Sequence, residues 1–166
     1  MKKILIMLML LAPMATFAQK FGHVDAQSIM QSMPEFIKAR GDLEALSKQY
    51  ENDLKAMQDE IQRKADEYEK TKSTMNATKQ QETEKAIQDL ANKFQQAQQD
   101  NAQAFQKLQQ EKMAPIQQKV FQAVENVGKN GGYVYIMDVS AGIPYISDTL
   151  SKDVTADVKA EVNKIK

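Results

Sequence analysis

From Phe36 onward, apolar residues recur along the chain at alternating steps of three and four. Leu43, Leu46, Tyr50, Leu54, Met57, Ile61, Tyr68 and Met75 form one stripe, and Leu54, Ile61, Tyr68 and Met75 repeat every seven residues. This spacing predicts an amphipathic helix with a narrow seam of coiled-coil type. Its other faces mix charges (Asp59, Glu60, Arg63, Lys64), and Glu60 with Lys64 has the i,i+4 spacing that adds support. The pattern lapses over residues 73–78, where Thr78 and Gln81 read as a capping box opening a second helix. That helix carries Ile87, Leu90, Phe94, Ala97, Ala104, Phe105 and Leu108 on one side amid many Gln. Beyond Pro115, the broader face Ile116, Val120, Phe121, Val124 and Val127 predicts burial in a core.

With a tip near Asn76, partners across the antiparallel hairpin have residue numbers summing to roughly 153. Gly41 and Pro115 then fall at nearly the same height. Each is costly inside a helix, about 1 kcal/mol for Gly and 3 for Pro. Their coincidence marks them as a candidate hinge between an arm, 41–112, and a body, 19–40 with 113–166.

The ends of the chain have another character. Phe21-Gly22-His23-Val24-Asp25 reads as a short strand, Asn130-Gly131-Gly132 as a turn, and Tyr133-Val134-Tyr135-Ile136-Met137 as the strongest strand in the sequence. Tyr145-Ile146 is a third strand candidate after a loop. A last helix begins near Thr155 and buries Val158, Val162 and Ile165. The fold class is therefore mainly α with a small β body and a long helical hairpin as a coiled-coil arm. So small a core asks for oligomerisation, with Val24, Val134 and Ile136 as candidate interface residues.

Composition narrows the function. At the N-terminus, Lys2 and Lys3, an apolar run over 4–12 and Thr16-Phe17-Ala18 have the order of a cleaved signal peptide, residues 1–18. The full chain has 22 basic and 22 acidic residues; without Lys2 and Lys3 the exported chain carries a net charge of −2. That balance argues against a nucleic-acid partner. The absence of Cys excludes disulfides and thiol chemistry. His23 is the only imidazole, and no nucleophile elbow, phosphate loop or zinc motif is present. Asp138 is read as a turn residue that bonds backbone. No catalytic residue, cofactor or metal site is expected, and the chain does not read as an enzyme.

One resemblance spans the whole exported chain. The signal peptide, the strand at Phe21, Ala26-Gln27-Ser28-Ile29-Met30, two long charged helices, a strand ending in Asp138, a turn to Tyr145 and Asp153-Val154-Thr155-Ala156-Asp157-Val158 occur in one order. This arrangement resembles the Skp/OmpH family of periplasmic chaperones, most specifically in the last stretch. The resemblance implies a homotrimer in which helical arms project from a small β-barrel body around a cavity. It implies an ATP-independent holdase for unfolded outer-membrane proteins. Better-known members are strongly basic, with a proposed lipopolysaccharide site on the second arm. Residues 99–110 here hold Lys107 as their only base, so that site is not carried over. Candidate client contacts are the seam residues Tyr50, Met57, Tyr68, Met75 and Phe105. The alternative is a structural or adaptor coiled coil of the envelope that binds one folded partner through a single large apolar patch.

Overall fold

The computed structural model describes residues 19–165. The signal peptide expected at 1–18 lies outside them. In chain order the elements are β1 (Lys20–Val24), α1 (Ala26–Ser32), α2 (Pro34–Thr71), a 3-10 turn (Lys72–Thr74), α3 (Ala77–Gly131), β2 (Tyr133–Asp138), a second 3-10 turn (Val139–Ala141), β3 (Ser151–Asp153) and α4 (Thr155–Val162). The described chain is mainly helical, with two long helices and one small three-stranded sheet. It divides into two compact units. One takes the chain up to Gln27 and from Gln122 onward; the other is Ser28–Phe121.

Within Ser28–Phe121, local chemistry sets each boundary. Met33 is extended (φ −79°, ψ 131°), as expected of a residue before proline, and Pro34 opens α2 at its first turn. Between the long helices, Asn76 Oδ1 accepts a 2.9 Å bond from the Lys79 amide and caps α3. The cap is Asn76 and not Thr78, because it is the Asn76 side chain that reaches the Lys79 amide. Gln80 Nε2 ties the turn together, donating to the carbonyls of Lys72 and Met75 at 2.8 and 3.1 Å.

Among the described residues, three polar side-chain contacts join α2 to α3. Tyr68 Oη donates to Glu84, Lys112 pairs with Asp42, and Lys119 pairs with Glu35. As the position on α2 falls from 68 to 42 to 35, its partner on α3 climbs from 84 to 112 to 119, so the helices run antiparallel at these contacts. Neither breaker interrupts its helix: α2 runs through Gly41 and α3 through Pro115. The buried apolar residues of this unit are Ile29, Met33, Ala39, Leu43, Ile116 and Val120. Phe121, expected in the same core face, is 68% exposed. It lies about 100° around the helix from Val120, off the line of Ile116 and Val120.

In the other unit the sheet order is β2-β1-β3, with both pairings parallel. At the end of α3, Gly132 takes the left-handed conformation (φ 67°) that a C-terminal cap needs. Lys20 Nζ donates to the Gly131 carbonyl at 3.1 Å, a cation placed at the negative end of the helix. Residues 139–150 then carry the chain past β1 to β3. This is near the shortest parallel crossover, about a dozen residues, and it consumes Tyr145 and Ile146. The third strand is therefore Ser151–Asp153, not Tyr145-Ile146. Val24, Ala26, Ala123, Val154, Val158 and Val162 form this core, while Ile165 falls beyond α4 and is half-buried.

Candidate functional site

The long helices bury nothing completely between positions 44 and 115. Tyr50, Met57, Tyr68, Met75 and Phe105 are all half-buried, as are Leu54, Ile61, Ile87, Leu90, Phe94 and Leu108. The cause is geometric: two helices alone can cover only the facing side of a seam residue, and no third layer covers the flank. The result is a long row of apolar edges open to solvent, separated by Lys, Glu and Gln.

Two of the candidate residues come together. Tyr68 and Met75 line an open crevice with Ala86 and Ile87, rimmed by Lys64, Glu67, Lys79 and Glu82. Tyr68 Oη donates a 2.5 Å bond to Glu84 Oε1 across the helices, and this bond to a carboxylate raises the phenol above its ordinary pKa. Phe105 lies elsewhere, in a shallow cleft with Leu43, Arg40 and Lys48. A second cleft nearby on α2 is lined by Phe36, Ile37 and Gly41. Sequence reasoning did not single out Ile37, which is 61% exposed. Its signal was present, since Ile37 stands off the stripe that Leu43 and Leu46 define.

The three candidate interface residues occupy different environments within the strand unit. Val24 is 2% exposed and belongs to the core; Ile136 is half-buried opposite Gly22; Val134 is 58% exposed. Tyr135 and Met137 are exposed on the same strand, and Tyr145 and Leu150 on the crossover. Among the described residues strand β2 pairs only with β1, so none of them covers its other edge.

The polar residues of the strand unit have structural employment. Asp138 Oδ1 accepts from the Ser140 amide (3.0 Å) and from the Ala26 amide at the start of α1 (3.2 Å). It is the backbone-bonding turn residue its position implies. His23 Nδ1 lies 2.9 Å from Ser151 Oγ between neighbouring strands. The 153–158 stretch that carries the sequence resemblance welds β3 and α4 to β1. Asp153 Oδ1 accepts from the Thr155 amide (2.8 Å), Thr155 Oγ1 accepts from the Asp25 amide (3.0 Å), and the Val154 amide donates to the His23 carbonyl (2.9 Å).

The bonds from Thr155 hold the Asp153 carboxyl below its ordinary pKa. A lowered folded-state value means that this contribution is complete above the unfolded value near 4 and is lost as pH falls through the folded one. Asp153→Asn is expected to cost about 1 kcal/mol at neutral pH, the scale of a lost cap, and to flatten the acid limb of stability. Urea melts between pH 2.5 and 7 check this.

No group of side chains among the described residues has the makings of a metal site. No helix among them is long and apolar enough to cross a membrane. The described residues thus form two long helices with an open apolar seam and a small three-stranded sheet.

Comparison with known proteins gives this scaffold its family. Residues 20–162 match the family described as Outer membrane protein (OmpH-like), and the chain belongs to that family. The chaperone protein Skp of Yersinia pseudotuberculosis is 36% identical over 152 residues, covering 87% of this chain and 86% of its own. Skp of Yersinia enterocolitica is 29% identical over 155 residues, covering 93% of each. A crystal structure of an OmpH-like protein from Caulobacter crescentus superposes with a TM-score of 0.74 at 15% identity, over 89% of this chain and 86% of that one. The family's members are chaperones, not enzymes.

Proposed function

We propose that this protein is an ATP-independent periplasmic holdase that keeps unfolded outer-membrane proteins from aggregating. One observation carries the reading: from 44 to 115 the two long helices expose a continuous series of half-covered apolar side chains and none that is fully buried. A non-native chain presents scattered apolar segments, and a row of weak, dispersed contacts suits it better than one deep pocket. Tyr50, Met57, Tyr68, Met75 and Phe105 are the proposed contacts.

In this reading, residues 41–112 form a hairpin arm, and 19–40 with 113–166 form the body. Three chains assemble through the body into a small β-barrel, which puts three arms around one cavity. The edge of β2 that no described residue covers and the exposure of Val134, Tyr135 and Met137 support assembly at that strand. The slight core points the same way, since a unit built on four valines and two alanines gains little from burial alone. Subunit dissociation and unfolding are then coupled. The melting temperature should rise with protein concentration over a hundredfold range, and a concentration-independent value would remove the trimer.

The decisive test dilutes an unfolded outer-membrane barrel protein into buffer with and without the exported chain, and with and without ATP. Scattering should be suppressed at one trimer per client irrespective of ATP. A requirement for ATP, or no protection of any unfolded barrel protein, would refute the holdase. Selective binding of one folded partner through the β2 patch would instead establish the adaptor reading.

A further inference from the structure

Of the ion pairs among the described residues, Glu35–Lys119 and Asp42–Lys112 alone join positions more than five apart in sequence. The others lie within one turn of a helix or link Lys152 to Asp157, and they leave α2 and α3 free of each other. The two long-range pairs are also regularly placed. Glu35 and Asp42 are one heptad apart on α2, and so are Lys112 and Lys119 on α3. Seven residues rise about 10.5 Å, so the four charges stand at the corners of a rectangle, acids on one helix and bases on the other.

Both helix breakers fall inside this rectangle. Gly41 lies between Glu35 and Asp42, and Pro115 between Lys112 and Lys119. Gly41 is not demanded by packing, for a Cβ there would meet nothing within 4 Å, and its backbone is helical. Pro115 has no amide hydrogen to complete the helical ladder. The pair is thus locally weak at one level on both helices, and at that level it carries ion pairs that bridge them. Lys119 is 21% exposed, but Glu35 is half exposed and Lys112 and Asp42 are 40% and 42% exposed, so both pairs lie within reach of screening by salt.

We propose that Glu35–Lys119 and Asp42–Lys112 form an ionic clasp across the Gly41–Pro115 level, which holds the helices in register and makes local opening there depend on ionic strength. The clasp deepens the division into arm and body proposed above and rests on it. The lowered carboxyl of Glu35, caused first by its bond from Lys119, accords with a formed pair. The function it serves is adjustable stiffness: the helices can yield at this level without sliding past each other.

Hydrogen exchange of the intact protein tests this at residues 37–45 and 111–119. Joint Glu35→Lys and Asp42→Lys should speed exchange there about fivefold, with residues 54–68 and 87–101 unchanged. Adding Lys112→Glu and Lys119→Glu, which restores the pairs in reverse, should return the parental rate. Raising salt from about 0.05 to 1 M should speed exchange of the same segments in the parent but not in Glu35→Gln with Asp42→Asn. Unchanged exchange in the reversal variant, acceleration spread along both helices, or no recovery in the four-residue swap would overturn the clasp. Gly41→Ala should slow local exchange at any salt, a result that tests the hinge separately. Client capture takes no part in this readout, so its outcome leaves the chaperone reading to its own experiment.

Discussion

Val158→Asp should unfold the strand unit, while Ala156→Asp, two residues away, should leave it intact. Val158 is fully buried, as is Val154, and both pack in a core whose other members are Val24, Ala26, Ala123 and Val162. Ala156 is exposed on the same helix. A carboxylate at 158 would lie beyond water with no cation to pair it. An uncompensated buried charge costs on the order of 3–5 kcal/mol, against a total of about 5–15 for an ordinary domain. A core made of valine and alanine places this unit toward the low end. An exposed substitution such as Ala156→Asp typically changes stability by about 0.5 kcal/mol or less. Hydrogen exchange at the β1 and β2 amides separates the two variants, because it reports the sheet where circular dichroism is dominated by the long helices. Equal protection in both variants would show that Val158 does not anchor this core.

That contrast also shows what the sequence could and could not reveal. Val158 and Val162 were legible because a four-residue repeat on a short helix has one apolar side. The long helices were legible because their stripe persists over many turns and no Gly interrupts it from 42 to 127. The contacts Tyr68–Glu84, Asp42–Lys112 and Glu35–Lys119 all fall on the register that a tip near Asn76 dictates. Strand β3 was not legible. Ser151-Lys152-Asp153 has no β-branched or aromatic residue, and it becomes a strand because the crossover delivers it to β1. Helix α1 was missed for a related reason, since seven residues are too short for periodicity to register. Its start is fixed instead by a distant side chain, Asp138, bonding the Ala26 amide.

The candidate site was less legible than the fold, and the reason is physical. A seam residue of a two-helix pair satisfies the same apolar spacing whether its outer edge is covered or open. Sequence therefore marks Tyr50 or Met57 as a seam position and leaves its exposure to the tertiary structure. The long-range ion pairs are hidden in the same way. Glu35, Asp42, Lys112 and Lys119 read as ordinary members of a charged surface until the register brings them together.

Capture of an unfolded client should survive any one of Tyr50→Gln, Met57→Gln, Tyr68→Gln, Met75→Gln or Phe105→Gln and collapse when all five are combined. Each side chain is already half-covered by the seam, so a client can cover only the remainder. Full burial of such a side chain is worth about 1.5–3 kcal/mol, and a partial contact about 0.5–1. A single loss should then weaken capture about two- to fivefold, and the five together about a hundredfold or more. Several arms acting on one client would steepen that collapse through effective concentration. Gln serves as the replacement because it forms helix well, and a thermal melt of each variant separates lost contact from lost fold. The full chain balances 22 basic against 22 acidic residues, which leaves little long-range attraction, so capture should change by less than about tenfold from low to high salt. Affinities for one unfolded barrel protein, measured by fluorescence across the series, decide the matter. Loss of capture from one substitution would reveal a localised hot spot instead of a distributed surface, and a steep decline with salt would assign the attraction to charge.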